Sequence, residues 1–517
     1  MNGAESLVRT LVQSGVSVCF ANPGTSEMHF VAALDKASGM RAVLGLFEGV
    51  VTGMADGYGR VARRPAVTLL HLGTGLANGL ANLHNARRAG TPVVNVVGDH
   101  TRAHQQFNSP FISDVAAIAR PFSDWVHAAE SALTLAAEGA RAVMAAQGPP
   151  GQIATLVVPA DAAWNEAEAP VTAAPRAAPH PVPDATIERV ASLLASTRQA
   201  ALLLRADAAS ARGASAAGRI AARTGVRLLS ERLTPRLQRG AGRVRIEQIP
   251  YRVEDALEFL RSLELLVLVS SSPPVSTFAY PGKPSWYLPP GCSLAQLAQP
   301  HEDAEQALEA LATRLDAPAV PAGVVRLELP DLPRGVLDQF TLGACIARHL
   351  PEGAILVDEG VTNSPGTFRA TETAAPHDYF SNSGGALGQG LPVAAGAAVA
   401  APQRKVVCLQ ADGGAMYSVQ GLWTLAREQL DATVVLIANR AYAILQMELA
   451  RVGASMGANA RALLDLSSPE LSWTRLAQGM GVEASRAETI EQFDAQFSDA
   501  MRRRGPRLIE AVIQTRA

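Results

Sequence analysis

The chain of 517 residues sets 45 Lys and Arg against 47 Asp and Glu, and is 48% hydrophobic and 18% charged. That apolar share suffices for several cores and excludes a disordered chain, while a formal charge of −2 excludes nucleic-acid binding through a basic surplus. Cys19, Cys292, Cys345 and Cys408 lie far apart with no CxxC pair, which excludes a disulfide scaffold and a thiolate zinc site.

The first residues lack the basic and apolar regions of a signal peptide, so a cytoplasmic location is expected, with neither membrane nor nucleic acid as partner. Short β-rich runs then alternate with helical ones: VSVCF, a helix from Ser26 to Ala37, AVLGLF, a helix through Met54, AVTLLHL, another helix, and PVVNVVG. A Pro- and Ala-rich run from Glu166 to Ala185 reads as a linker, since proline removes donors and restricts its neighbours. AALLLRA, GVRLLS and LELLVLVS follow as strands of another α/β unit, with no GxGxxG fingerprint. A second Pro-rich run near Asp316 to Arg334 precedes AILVDEG, KVVCLQADG, TVVLIAN and RLIEAVI. Between the first two of these, Gly384 to Pro402 is Ala- and Gly-rich and reads as a packed buried helix rather than a membrane span. Apolar strands separated by helices imply an α/β fold of three doubly wound parallel-sheet domains. The expected divisions are 1–165, a linker at 166–185, 186–320, a linker at 321–334, and 335–517.

Ligands of such sheets bind beyond the carboxyl ends of strands, so the residues after each apolar run matter most. KVVCLQ ends in Ala411, Asp412, Gly413 and Gly414, and TVVLIA ends in Asn439, Arg440 and Ala441. Adjacent strand ends would set a carboxylate, an amide oxygen and a carbonyl side by side, a hard-oxygen set suited to Mg²⁺, or to Ca²⁺ in its place. Gly413 and Gly414 would let backbone approach a diphosphate. An Asp-Gly turn and an Asn helix cap are the ordinary alternatives. In the first block, Asn22-Pro23-Gly24-Thr25-Ser26-Glu27 follows one strand, and Phe47-Glu48-Gly49 follows another. Glu48 is a candidate for proton transfer, with a plain helix-start acid as the alternative.

As an ordered set these pieces resemble the thiamine-diphosphate (ThDP) enzymes of the acetolactate synthase, benzoylformate decarboxylase and pyruvate decarboxylase superfamily. The resemblance covers essentially the whole chain and implies pyrimidine-binding, middle and diphosphate-binding domains in that order. It implies that Glu48 bonds N1′ of the aminopyrimidine and drives it to the imino form, from which the carbon nucleophile arises. Asp412, Asn439 and the Ala441 carbonyl match the Mg²⁺ ligands, and Gly413, Gly414 and Tyr442 join them in the cofactor site. Glu359, Gly360, Val361, Thr362 and Asn363, after Asp358, match a segment that contacts the diphosphate. The Gly385 carbonyl falls where the 4′-amino group is met, and Leu387 where a bulky residue bends the cofactor. A homodimer is the implied minimum, one chain supplying Glu48 and the other Asp412, with a homotetramer as the larger form. One departure is Ala411, where the family usually has glycine.

The resemblance also implies a 2-oxo acid as substrate. His71 falls on an active-site histidine of benzoylformate decarboxylases and Thr25 on their serine, while His100 and His104 lie near the paired histidines of pyruvate decarboxylases. A half-buried structural histidine is the alternative at 71. The second benzoylformate-type histidine is missing from Pro274 to Gly282, where Ala279 or Tyr280 stands nearby. Glu448 replaces a tryptophan usual in acetolactate synthases, and the short middle block shows no FAD signature. Ile444 is expected to narrow the substrate pocket toward small acyl groups, unless it is plain helix-face core. The expected activity is acetolactate-synthase-like decarboxylation followed by carboligation or aldehyde release. A benzoylformate-type decarboxylase and a non-catalytic ThDP-binding paralogue are the alternatives.

Overall fold

The computed structural model describes residues 1–332 and 334–513. The first block forms a six-stranded parallel sheet: β1 Val18–Asn22, β2 Arg41–Leu44, β3 Ala66–Leu70, β4 Val93–Asp99, β5 Trp125–Ala128 and β6 Ile153–Pro159, in the order β2-β1-β3-β4-β6-β5. β3 and β6 are buried along their whole length, which is why both faces are apolar but for Thr68 and Thr155, whose hydroxyls meet the Asn95 amide between them. The middle block contributes β7 Ala200–Leu204, β8 Arg227–Ser230, β9 Leu237–Arg239, β10 Glu247–Gln248, β11 Leu265–Val269 and β12 Ser293–Ala298. Five of these make the parallel sheet β10-β8-β7-β11-β12. The third sheet holds β13 Ile355–Glu359, β14 His377–Ser381, β15 Val406–Ala411, β16 Ala432–Ala438, β17 Glu483–Ala487 and β18 Arg507–Val512. Its order is β17-β18-β16-β15-β13-β14-β9.

The edge strand β9 comes from the middle block and pairs antiparallel with β14. Arg239 secures it, its guanidinium 3.8 Å from the Phe368 ring centroid and bonded to the Phe368 carbonyl at 2.7 Å. The three sheets match the expected α/β architecture, although the middle block does not keep all its strands. The helix expected from Ser26 begins instead as a 3-10 turn, Thr25–Glu27, followed by a helix over Met28–Asp35.

Two helices join the outer units, Glu48–Ala62 and the buried Gly390–Ala400. They approach through glycine: a Cβ on Gly57 would stand 2.0 Å from the Val393 carbonyl oxygen, and one on Gly396 would stand 1.9 Å from that of Met54. Beside this crossing the buried Arg60–Asp56 pair closes at 2.5 Å. Arg60 also donates to the carbonyls of Pro235 and Ser381, so one guanidinium ties all three blocks. The position of Glu48 is thereby fixed against the third sheet. Among the described residues, no helix is long and apolar enough to cross a membrane.

Candidate active site

A doubly wound sheet opens a crevice where successive connections leave in opposite directions. In the first sheet that point lies between β1 and β3, since β2 lies on one side of β1 and β3 on the other. The chain leaving β1 turns so that Glu27 points back: its Oε2 accepts the Gly24 N–H at 2.8 Å and its Oε1 accepts the Ser26 hydroxyl at 2.7 Å. From the end of β3, His71 Nδ1 reaches the same Oε2 at 2.9 Å. Glu27 is buried and His71 half-buried. Gly98 at the end of β4 makes room, because a Cβ there would stand 1.8 Å from Glu27 Oε1. An acceptor facing Nδ1 fixes the proton on that nitrogen and leaves Nε2 for a ligand.

Thr25 is exposed and the hydroxyl beside His71, 3.3 Å from Nδ1, belongs to Ser26. The difference follows from the turn, which points residue 25 outward to bring Glu27 in. His104 is also exposed; its ring packs on His100 and Phe107, whereas His71 meets the edge of Phe111. The Glu27–His71 pair was missed in the sequence, although the acid three residues after Gly24 in NPGTSE is a turn-capping signal.

Glu48 opens the helix that follows β2 and is buried. Its Oε2 accepts the Asn78 amide at 3.0 Å, and its Oε1 lies over Gly75, where a Cβ would come within 2.9 Å. Asn82 donates to the Gly49 carbonyl at 2.7 Å, so the Leu72–Ala89 helix braces the acid from below.

In the third sheet the corresponding crevice lies between β13 and β15. Asp412 follows β15, its Oδ1 taking the Gly413 N–H at 2.8 Å and its Oδ2 the Arg440 N–H at 2.7 Å. Burial raises its pKa, against the pull of these backbone donors. Ala411 pairs with Ile437 across β15 and β16, which brings Asn439 alongside. The Asn439 side-chain oxygen accepts the Ala441 N–H at 3.1 Å. The Tyr442 ring lies against Gly413, where a Cβ would stand 2.5 Å from it. Asp412, Asn439 and the Ala441 carbonyl offer only oxygen donors at these strand ends, the chemistry that a hard divalent cation takes. The Ser383 hydroxyl, in the loop before the buried helix, and the Ser418 hydroxyl, six residues past Asp412, are buried without a hydrogen-bond partner among the described residues.

Gly360 and the turn Val361–Asn363 lie at the end of β13. Glu359 departs from the expected contact with a diphosphate: its fully buried carboxylate grips the N–H groups of Gly388 and Gly390. Burial pushes its pKa up to about 7 against those donors and Gln410. It anchors the loop that carries Gly385, which is exposed, and Leu387, which is half-buried. The same loop is clamped from the first block, His84 donating to the Gly384 carbonyl at 3.1 Å and Asn85 to that of Ala386 at 2.9 Å. Ile444 and Glu448 lie on the Ala443–Arg451 helix, which has no buried residue. Glu448 accepts from Tyr280 at 2.7 Å and from Arg451 at 2.8 Å; Arg451 went unnoticed in the sequence. Among the described residues, no hydrogen bond or ion pair joins Glu48 or His71 to Asp412 or Asn439.

Residues 1–119 match the family model of the thiamine pyrophosphate enzyme N-terminal TPP binding domain, and residues 360–511 that of the C-terminal TPP binding domain. A Mycobacterium tuberculosis protein provisionally named acetolactate synthase large subunit IlvX is 48% identical over 516 residues, 99% of each chain. Benzoylformate decarboxylase of Pseudomonas aeruginosa is 28% identical over 98% of this chain and 97% of its own. Among solved structures, a thiamine diphosphate-dependent 4-hydroxybenzoylformate decarboxylase from Rhodococcus jostii RHA1 covers 100% of both chains with a TM-score of 0.86 and 25% identity. The chain therefore belongs to the thiamine-diphosphate-dependent enzymes, in the family of 2-oxo acid decarboxylases and acetolactate synthases.

Proposed function

We propose that the protein is an acetolactate-synthase-like enzyme, dependent on thiamine diphosphate and Mg²⁺, that releases CO₂ from a 2-oxo acid. Bound thiamine diphosphate supplies the carbon nucleophile and electron sink that such a decarboxylation needs. Asp412, Asn439 and the Ala441 carbonyl would hold Mg²⁺. Glu48, buried over Gly75, is the observation that carries the reading: it is placed to hold a proton at a ring nitrogen of the aminopyrimidine. Glu27 orients His71 with its Nδ1 proton on the acid, so that Nε2 faces the ligand as an acceptor, and as a donor to the substrate carboxylate only when the ring carries both protons. The carboligating outcome is favoured by the 48% identity to the mycobacterial acetolactate-synthase-named protein. A benzoylformate-type decarboxylase is the second reading, favoured by His71; the middle block offers Tyr280 where a second histidine is absent. A non-catalytic paralogue would have no need for the buried Glu48.

The two half-sites would meet across a homodimer, with a homotetramer as the larger assembly. Apolar side chains beside both are exposed: Phe107, Phe111 and Leu46 on one side, Tyr417, Leu445 and Met447 on the other. The test is CO₂ release from protein with ThDP and Mg²⁺, offering pyruvate, 2-oxobutyrate, benzoylformate and phenylpyruvate, with products identified by mass spectrometry. Acetolactate supports the synthase and free aldehyde the decarboxylase. Full activity in both Glu48→Ala and Glu48→Gln refutes the proposal; silence on all four turns the reading toward another acyl donor or the non-catalytic paralogue.

A further inference from the structure

Strand β5 closes the first sheet at one edge, and its side chains alternate between two cores. Val126 packs with the Glu48–Ala62 helix, whereas Trp125 packs with the Leu135–Gln147 helix on the opposite face. His127, one step beyond Val126, therefore lies on the Leu135–Gln147 side, its ring centroid 5.6 Å from that of Trp125. That helix presents Glu138 from its first turn. The next residue fixes its depth, since a Cβ on Gly139 would stand 2.3 Å from Leu7 Cδ1.

The Glu138 side chain is 1% exposed, and its two oxygens are unequally answered. Oε1 accepts the Glu130 N–H at 3.3 Å, and the Arg141 guanidinium, 57% exposed, stands 3.9 Å away. Oε2 is buried with no hydrogen-bond partner among the described residues. His127 Nε2 is also buried without a partner, although it lies only 3.1 Å from Oε1. Leaving such groups unmet costs about 1–3 kcal/mol each, and more for a charged one, so the pair calls for a ligand that both can bind. Glu130 supplies a third donor, and the three side chains offer ligand atoms within 4.8 Å of one another. Its backbone is held on both sides, by Glu138 Oε1 and by Arg102, which donates to its carbonyl, while its carboxylate stays exposed and free to swing inward.

A water would satisfy Oε2 but bring no charge, and two carboxylates beside one screened arginine favour a divalent cation. Metal bonds of about 2.0–2.1 Å at tetrahedral angles set a nitrogen and an oxygen ligand about 3.3 Å apart, close to the 3.1 Å found here. The imidazole favours zinc over the Mg²⁺ or Ca²⁺ that all-oxygen sets take. A second group of such residues, Cys345, His349 and Asp494, differs in being closed on itself. Asp494 Oδ1 already meets His349 Nε2 at 2.6 Å and Cys345 Sγ at 3.5 Å.

We propose that His127, Glu130 and Glu138 bind one Zn²⁺, with water as the fourth ligand, as a clip that fastens the edge strand β5 to the Leu135–Gln147 helix. The test is zinc titration of the stripped protein, reloaded with ThDP and Mg²⁺, against a chromophoric chelator. One tight site per chain is expected, and zinc should raise the thermal midpoint. His127→Gln and Glu138→Gln should each weaken the site by more than about a hundredfold, the upper cost of losing a group that only supports a ligand. Glu130→Gln alters an exposed side chain that folding does not need, so it decides the matter if a buried variant fails to fold; a loss of at least about tenfold is expected there. His349→Gln should leave the affinity unchanged. No stoichiometric zinc, wild-type affinity in Glu130→Gln or His127→Gln, or loss of the site in His349→Gln overturns the inference.

Discussion

Glu359 gives a pH signature that can be worked out from its surroundings. Its carboxyl is fully buried at the end of β13 and titrates at about 7 instead of the ordinary 4.5, burial being the larger influence and the Gly388 and Gly390 N–H groups opposing it. In the unfolded chain the group loses its proton near 4.5. Between these values the folded protein holds a proton that the unfolded chain has released, so stability falls as pH rises through the window and levels off above about 7. The difference of some 2.5 in pKa corresponds to about 3 kcal/mol. Glu359→Gln removes the titration at the cost of one backbone hydrogen bond, because an amide has only one acceptor oxygen for two N–H groups. The assay is the thermal midpoint of both proteins from pH 5 to pH 8. The variant should start below wild type at pH 5, and the gap should close by several degrees toward pH 8. A constant offset across the range refutes the reasoning.

Two further predictions follow from contacts elsewhere. Gly57→Ala drives a Cβ to 2.0 Å from the Val393 carbonyl oxygen, so the two helices must part; overpacking of about 1–3 kcal/mol exceeds the helix-propensity gain of about 1 kcal/mol, and the thermal midpoint should fall. Gly479→Ala, with nothing within 4 Å of the new Cβ, is the matched control, and an equal loss there would sink the explanation. Asp412→Ala removes the carboxylate proposed to hold the metal, so the Kd for ThDP measured by fluorescence titration in Mg²⁺ should rise at least about tenfold, and chelating the metal from wild type should have the same effect.

The parallel strands were legible because β3, β15 and β16 are apolar but for one residue each, Thr68, Gln410 and Thr433, and Glu48, Asp412 and Asn439 drew notice because they stand where such runs stop. β14 was not, since its sequence HDYFS reads as polar. His377 is so buried that its pKa is pushed down to about 4, and Asp378 is answered by Arg236 from the middle block and by Arg404. A strand whose charges are satisfied from far away in the chain carries no local signal. The same limit hid the Glu27–His71 pair, which depends on β1 and β3 being neighbours, and the Tyr280–Glu448–Arg451 cluster, which spans two blocks. At Glu359 the sequence showed an acid beside a glycine turn but not its direction, which is set by the Gly388 and Gly390 amides.

The left-handed backbone at these strand ends has a common origin. Leu72 follows His71 at φ 53°, Val361 follows Gly360 at φ 54°, and Arg440 follows Asn439 at φ 57°. For residues with a Cβ this conformation costs roughly 1–2 kcal/mol, and more for β-branched valine. At Arg440 the return is visible, since the turned N–H meets Asp412 Oδ2 while the side chain pairs with Glu470 at 2.7 Å. Such strain is tempting as a marker of function. Yet Ala206 and Ser270, at φ 52° and 54°, stand just past β7 and β11, the neighbouring strands where the middle sheet reverses its winding. The sharp exit therefore belongs to the topology of a doubly wound sheet, which opens a crevice at each reversal. What sets the outer sheets apart is the polar residues beside the exit, Glu27 and His71 or Asp412 and Asn439, rather than the residue type of the turn itself.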